Sequence, residues 1–189
     1  METLHLIAQA TSNESGESLY GKHGDQRGFE LNSRQWYSYP WDCVYRANTG
    51  GDRERIASFM EKAVVNGFIG YDTNKNKRDT LYDALLANGY KVDEINTNCA
   101  TDCSALGFCA VYLVTGVPFP TQQYYIDNPD DTEQSIAKCP RVRHYEYYME
   151  SVCPDLFTKL EGASYTDSPD NLVRGDILVA WGNHIGIWI

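Results

Sequence analysis

Strand-like segments stand at both ends of this 189-residue chain, with helix-like segments between them. That order favours an α+β domain. The closing stretch, GDILVAWGNHIGIWI, reads as two strands around Gly182-Asn183, a pair suited to a hairpin. At the other end, Leu4–Ala10 reads as a strand with His5, Ile7 and Gln9 on one face. A polar, Gly-rich loop follows, then two short aromatic strand pieces on either side of Pro40. Between the ends, Ile56, Phe59, Met60, Ala63 and Val64 recur at helical spacing, with Gly67 suited to the C′ position. RDTLYDALLANG predicts a shorter helix with Leu81 and Leu85 inward and Gly89 as its stop. A third helix begins near Thr101 or Asp102, either of which can cap it, and ends before Gly116 and Pro118. Residues 117–170 are less legible; they hold the Tyr-rich HYEYYMESVC, read as helical.

This length suits one buried domain, residues 1–189. It divides into strands over 1–46, helices over 53–116, an insertion over 117–170 and closing strands over 171–189. A formal charge of −10 argues against nucleic-acid binding through a basic face. It also repels an anionic wall or membrane surface. No segment reads as a membrane span, and the first residues lack a basic, apolar leader pattern. The expectation is a monomer made in the cytoplasm without a signal peptide, with reduced thiols. The 14 Tyr and four Trp need polar partners wherever they are buried, which points many of them to grooves or the surface.

Three of the six cysteines lie in TNCATDCSALGFCAVYL. Cys99, Cys103 and Cys109 are spaced by four and six, without the second pair that a structural zinc site uses. A bridge between Cys103 and Cys109 would join divergent faces of one helix. Cys109, Cys43, Cys139 and Cys153 read as small core residues, and Cys99 as a loop residue. Cys103 differs because it falls in the first turn of a helix. Backbone N–H groups and the helix dipole there stabilise a thiolate and can hold an oxyanion. A nucleophilic Cys needs a base, and His184 on the closing strand is available.

Asp102-Cys103-Ser104 at a helix start, Gly175-Asp176 before a strand, and His184-Ile185-Gly186 together resemble the NlpC-like cysteine peptidases of peptidoglycan. The resemblance covers Ile69–Ile189, less well over 117–170. It implies a reduced papain-like core, with helices packed on an antiparallel sheet or half-barrel. It further implies Cys103 as nucleophile, His184 as base and then acid, and Tyr71, Asp102 and Ser104 as substrate-binding residues. No metal or organic cofactor is implied.

In that family the residue orienting the His lies on the strand after the His strand, and no such strand follows Ile189. LHLIAQATSNE resembles the family strand that carries this residue, with Gln9 at the matching place and His5 as the other candidate. The segment after it resembles material that follows the His strand in some phage lysins. A circularly permuted strand order is therefore expected. The resemblance implies a phage-type endolysin that cleaves an amide bond in cell-wall peptide. A wall-binding module outside these residues would explain how so acidic a domain finds its substrate. Two other readings stand beside it: a papain-like deamidase or acyl transferase acting on protein amides, and a non-catalytic wall-binding module that uses its aromatic groove.

Overall fold

The computed structural model describes residues 6–24, 30–132 and 136–189. His5, one of the two candidates for orienting the base, lies outside the described residues. Strands β1 (Leu6–Ala10), β2 (Leu31–Gln35) and β3 (Cys43–Ala47) precede helix α1 (Gly50–Val64). Then come β4 (Ile69–Tyr71), α2 (Thr80–Ala87), β5 (Cys99–Thr101), α3 (Cys103–Thr115) and α4 (Thr121–Asp127). A π-helical segment at Tyr147–Val152 leads to β6 (Phe157–Leu160), α5 (Ala163–Thr166), β7 (Ile177–Ala180) and β8 (His184–Trp188).

Six strands form an open antiparallel sheet in the order β2-β1-β8-β7-β3-β6. The architecture is α+β. The strand beside the His184 strand, beyond β7, is β1 from the start of the chain: Ile7 faces Trp188 and Ala8 faces Ile187. Gln9 thereby shares a face with Ile7, His184 and Trp188, because side chains alternate along each strand. On the opposite face, Ala8, Ile177, Val179, Ile185 and Ile187 join the main core with α1 and α3. Among the described residues, no helix is long and apolar enough to cross a membrane.

Local chemistry explains most of these elements. Thr49 caps α1 by accepting the Asp52 N–H at 3.1 Å, and Ile56, Phe59, Met60 and Ala63 are buried. The exit of α1 differs from the sequence expectation. The helix ends at Val64 with Val65 as its C-cap, and Asn66 rather than Gly67 directs the turn. The Asn66 side chain accepts from Phe68 N and donates to Val92 O and Ile95 O. α3 follows the expected limits, with Asp102 as cap and Gly116 left-handed at φ 62°. The closing hairpin pairs Ala180 with His184 across a turn containing Gly182 at φ 75°.

Two readings are corrected. Cys99 is not a loop residue: it sits in β5, 2% exposed, paired in parallel with Ile69. HYEYYMESVC is no regular α-helix but a 3₁₀ turn at Val142–His144 followed by the π-helical segment. Its tyrosines are also more deeply buried than expected. Tyr145 and Tyr148 are both fully buried, and their hydroxyls donate to Ser104 O and Val117 O. Cys43, Cys109, Cys139 and Cys153 are buried, and all six thiols are free.

The Gly175-Asp176 pair has a structural explanation. Gly175 adopts φ 89°, and a Cβ there would lie 2.3 Å from the Arg53 carbonyl oxygen. Asp176, fully buried, accepts from Arg46 Nε at 2.8 Å and Nη2 at 2.7 Å. Gly175→Ala therefore combines a disfavoured dihedral with a backbone clash. It should lower stability by about 2–3 kcal/mol in urea denaturation.

Candidate active site

Cys103 opens α3 and His184 opens β8, and both line one cavity of about 650 Å³. Tyr39, Tyr71, Asp102, Ser104, Arg141 and Asn183 also line it. Cys103 is half-buried, and its Sγ–H points to the Asn183 carbonyl at 3.9 Å.

The imidazole is held from the far end of the chain. His184 Nε2 lies 2.8 Å from Gln9 Oε1, and the Tyr37 hydroxyl donates to that same oxygen at 2.8 Å. Gln9, 1% exposed, passes its own amide N–H to Asn32 Oδ1 at 3.3 Å, and Asn32 donates to Thr11 Oγ1 at 3.0 Å. Because Gln9 Oε1 is an acceptor, Nε2 carries the proton and Nδ1 keeps the lone pair. Tyr39 and Trp41 flank the ring at centroid distances of 5.7 and 5.9 Å. Gly186 leaves the room this packing needs: a Cβ there would fall 2.5 Å from Ile7 Cγ2.

The residue before Cys103 anchors a buried charge network. Asp102 caps α3 through Ala105 N at 2.8 Å. Arg78, with no exposed surface, donates to Asp102 Oδ2 from Nε at 2.6 Å and to Oδ1 from Nη2 at 2.9 Å. Arg141 Nη1 reaches Asp102 Oδ2 at 2.7 Å. Arg78 also donates to Ser104 Oγ, Asp79 Oδ1, Cys139 O and Pro140 O. A buried guanidinium demands such saturation. The side chains of Asp102 and Ser104 are thus engaged by arginines within the wall, while Tyr71 donates to Ser18 O at 3.1 Å. Sequence reasoning missed Arg78, Arg141, Tyr37 and Asn32. RDTLYDALLANG reads as a helix with Leu81 and Leu85 inward, and nothing linear links Arg78 to Asp102, 24 positions on.

Burial sets the charge state of the pair. It pushes the Cys103 thiol up to about 12, with the Asp102 charge adding to the rise. Backbone N–H groups of Ile185 and Ser104 and the Arg78 charge pull the other way. Burial likewise lowers His184 to about 4, against the Asp102 carboxylate. Desolvation thus opposes the thiolate that the helix start was expected to favour. Both shifts favour a thiol beside a neutral imidazole. Asp102 itself stays ionised because Arg78 and Arg141 overcome its burial.

His144 is also lowered to about 4, chiefly by burial. Both histidines therefore bind a proton more readily in the unfolded chain. Their contribution is complete above the unfolded pKa of about 6.5 and is lost as pH falls towards 4. Unfolding free energy should drop across that window with a slope approaching about 2.7 kcal/mol per pH unit for two protons. His184→Gln should roughly halve the slope, as read by denaturation at stepped pH.

Residues 7–189 match the family model of the endolysin-like domain. No curated protein and no solved structure matches the chain. With the match spanning nearly all of its length, the chain belongs to the endolysin-like domain family, a membership that points to a role at the bacterial cell wall.

Proposed function

We propose that this domain hydrolyses an amide bond in the peptide part of peptidoglycan by a Cys-His thiol mechanism of the NlpC-like, papain-related kind. The observation that carries the reading is Cys103 and His184 on one cavity, with His184 Nε2 tied to a buried amide oxygen. That tie leaves Nδ1 as the base.

In this mechanism the thiol proton passes to His184 Nδ1 as Sγ attacks the scissile carbonyl carbon. The C–N bond then breaks and His184 returns the proton to the leaving amine. Water, deprotonated by the same nitrogen, clears the thioester and restores the thiol. Backbone N–H groups at Cys103 and Ser104, at the start of α3, are the oxyanion donors. Gln9 orients the imidazole as an uncharged acceptor. Tyr71 acts as a substrate-side wall. Asp102 and Ser104 serve the substrate by holding the helix start in place, since their side chains are engaged with arginines. The neutral resting pair makes proton transfer part of the chemical step, so an acid limb of kcat/KM near pH 4–5 is expected rather than one near 6.5.

Cys103→Ser should lower lysis of purified cell walls by about a thousandfold or more, measured by turbidity. Full lytic activity in that variant would rule the reading out. Gln9→Ala should fold normally and lose about ten- to a hundredfold in kcat, with KM little changed. Unchanged turnover would remove Gln9 from the site. Mass spectrometry of digested peptidoglycan identifies the bond cut. A product carrying an added amine in place of water would instead point to acyl transfer.

A further inference from the structure

We infer that Arg141 is the carboxylate-recognising residue of the cavity, binding a free carboxylate of the peptidoglycan stem peptide beside the scissile amide. This rests on the peptidoglycan reading above and names the group by which the site selects its substrate.

Arg141 enters the cavity wall from the insertion, and both its backbone and its side chain are fixed in advance. Its backbone N–H donates to His144 Nδ1 at 2.9 Å, and the preceding Pro140 carbonyl is held by Arg78 Nη2 at 2.9 Å. Its guanidinium is braced by Asp102 Oδ2 at 2.7 Å through Nη1 and by Thr73 O at 3.1 Å through Nη2. Those two bonds use two of five N–H protons; the other three have no partner among the described residues. Both residues line the cavity, and the Arg141 side chain is 25% exposed where that of Asp102 is 4% exposed, so Arg141 is the more accessible of the two.

The spare donors favour an incoming acceptor. Asp102 is the carboxylate in the cavity wall, and two guanidiniums share it. Arg78 also touches Asp79, whereas the ion pair of Arg141 is with the shared Asp102. Burial and the neighbouring Arg78 charge accordingly weaken the protonated form of Arg141. Arg143, on the same wall, already pairs with Asp131. Two guanidiniums and two carboxylates thus balance within the wall, and Arg141 is the cation of that set whose N–H groups are not all engaged. A ligand carboxylate meets a planar donor group that suits it. Because the guanidinium is already braced, little ordering is required when the ligand arrives.

Stem peptides carry carboxylates at more than one residue, and amidated stems replace them with carboxamides. The test uses Cys103→Ala protein, which binds without turnover, and synthetic stem tetrapeptides. In these the isoglutamyl carboxylate, the third-residue carboxylate, or neither is converted to carboxamide. Calorimetry should show one carboxamide weakening binding by about ten- to a hundredfold, which identifies the group recognised. Arg141→Gln in the same background should abolish that difference, and Arg141→Lys should retain part of it. Thermal unfolding checks that each variant is folded. Equal affinity for all three peptides, no binding of any, or a full preference surviving either substitution would overturn the inference. Hydrolysis is read separately with Cys103 intact. Turnover without carboxylate preference defeats this inference alone, and absence of turnover on any cell wall defeats the functional reading.

Discussion

Asp102 carries its charge in the interior at 3% exposure, and the cavity wall is organised around that one carboxylate. It caps α3, so it sets where the helix and its first residue, Cys103, begin. Its two oxygens accept from Arg78 and Arg141, which in turn grip the carbonyls of Cys139, Pro140 and Thr73. The insertion and the loop after β4 are thereby clamped to the helix that bears the candidate nucleophile. Desolvating a carboxylate and a guanidinium is costly, and the pair is tolerable only because nearly every donor is matched. Removing either partner strands the other, typically at a cost of about 3–5 kcal/mol. The clamp is therefore better understood as a device for position than as a source of net stability.

The same carboxylate works against ionisation of Cys103, and burial works in the same direction. His184 is buried beneath Tyr39 and Trp41 and keeps its neutral form. The aromatic pair beside the candidate base thus has a double effect. It packs beside the short bond to Gln9, and its burial of the ring favours the neutral imidazole. A protonated thiol is a poor target for adventitious oxidants and electrophiles, whose reactions need the thiolate.

How much of this was legible in the linear chain depended on the range of the interactions involved. Local signals read well: the apolar spacing of α1, the Asp102 cap and Gly116 stop of α3, and the hairpin closing on Trp188 all follow from nearest-neighbour chemistry. The juxtaposition of Gln9 and His184 was expected through a resemblance between strands and not through any periodicity. β4 and β5 were missed because strands of three residues leave no alternation to detect. The π-helical turn was missed because its irregularity serves distant partners: Tyr145 and Tyr148 bond to carbonyls 41 and 31 positions away. Arg78 drew no notice at the start of its helix segment, since its burial depends on Asp102 and on a segment about 60 positions downstream.

The pairing of β1 with β8 has a consequence for how the chain becomes competent. His184 and Gln9 are separated by 175 positions, and Leu6 and Ile189 exchange backbone hydrogen bonds at the seam. During synthesis the helix bearing Cys103 emerges long before the strand that brings the imidazole. The strand holding Gln9 waits, unpaired on that side, for almost the whole chain. Contacts of such sequence separation form late in folding. A nascent or truncated chain therefore holds a sulfur without a base, and the complete arrangement exists only once the last strand has docked against the first.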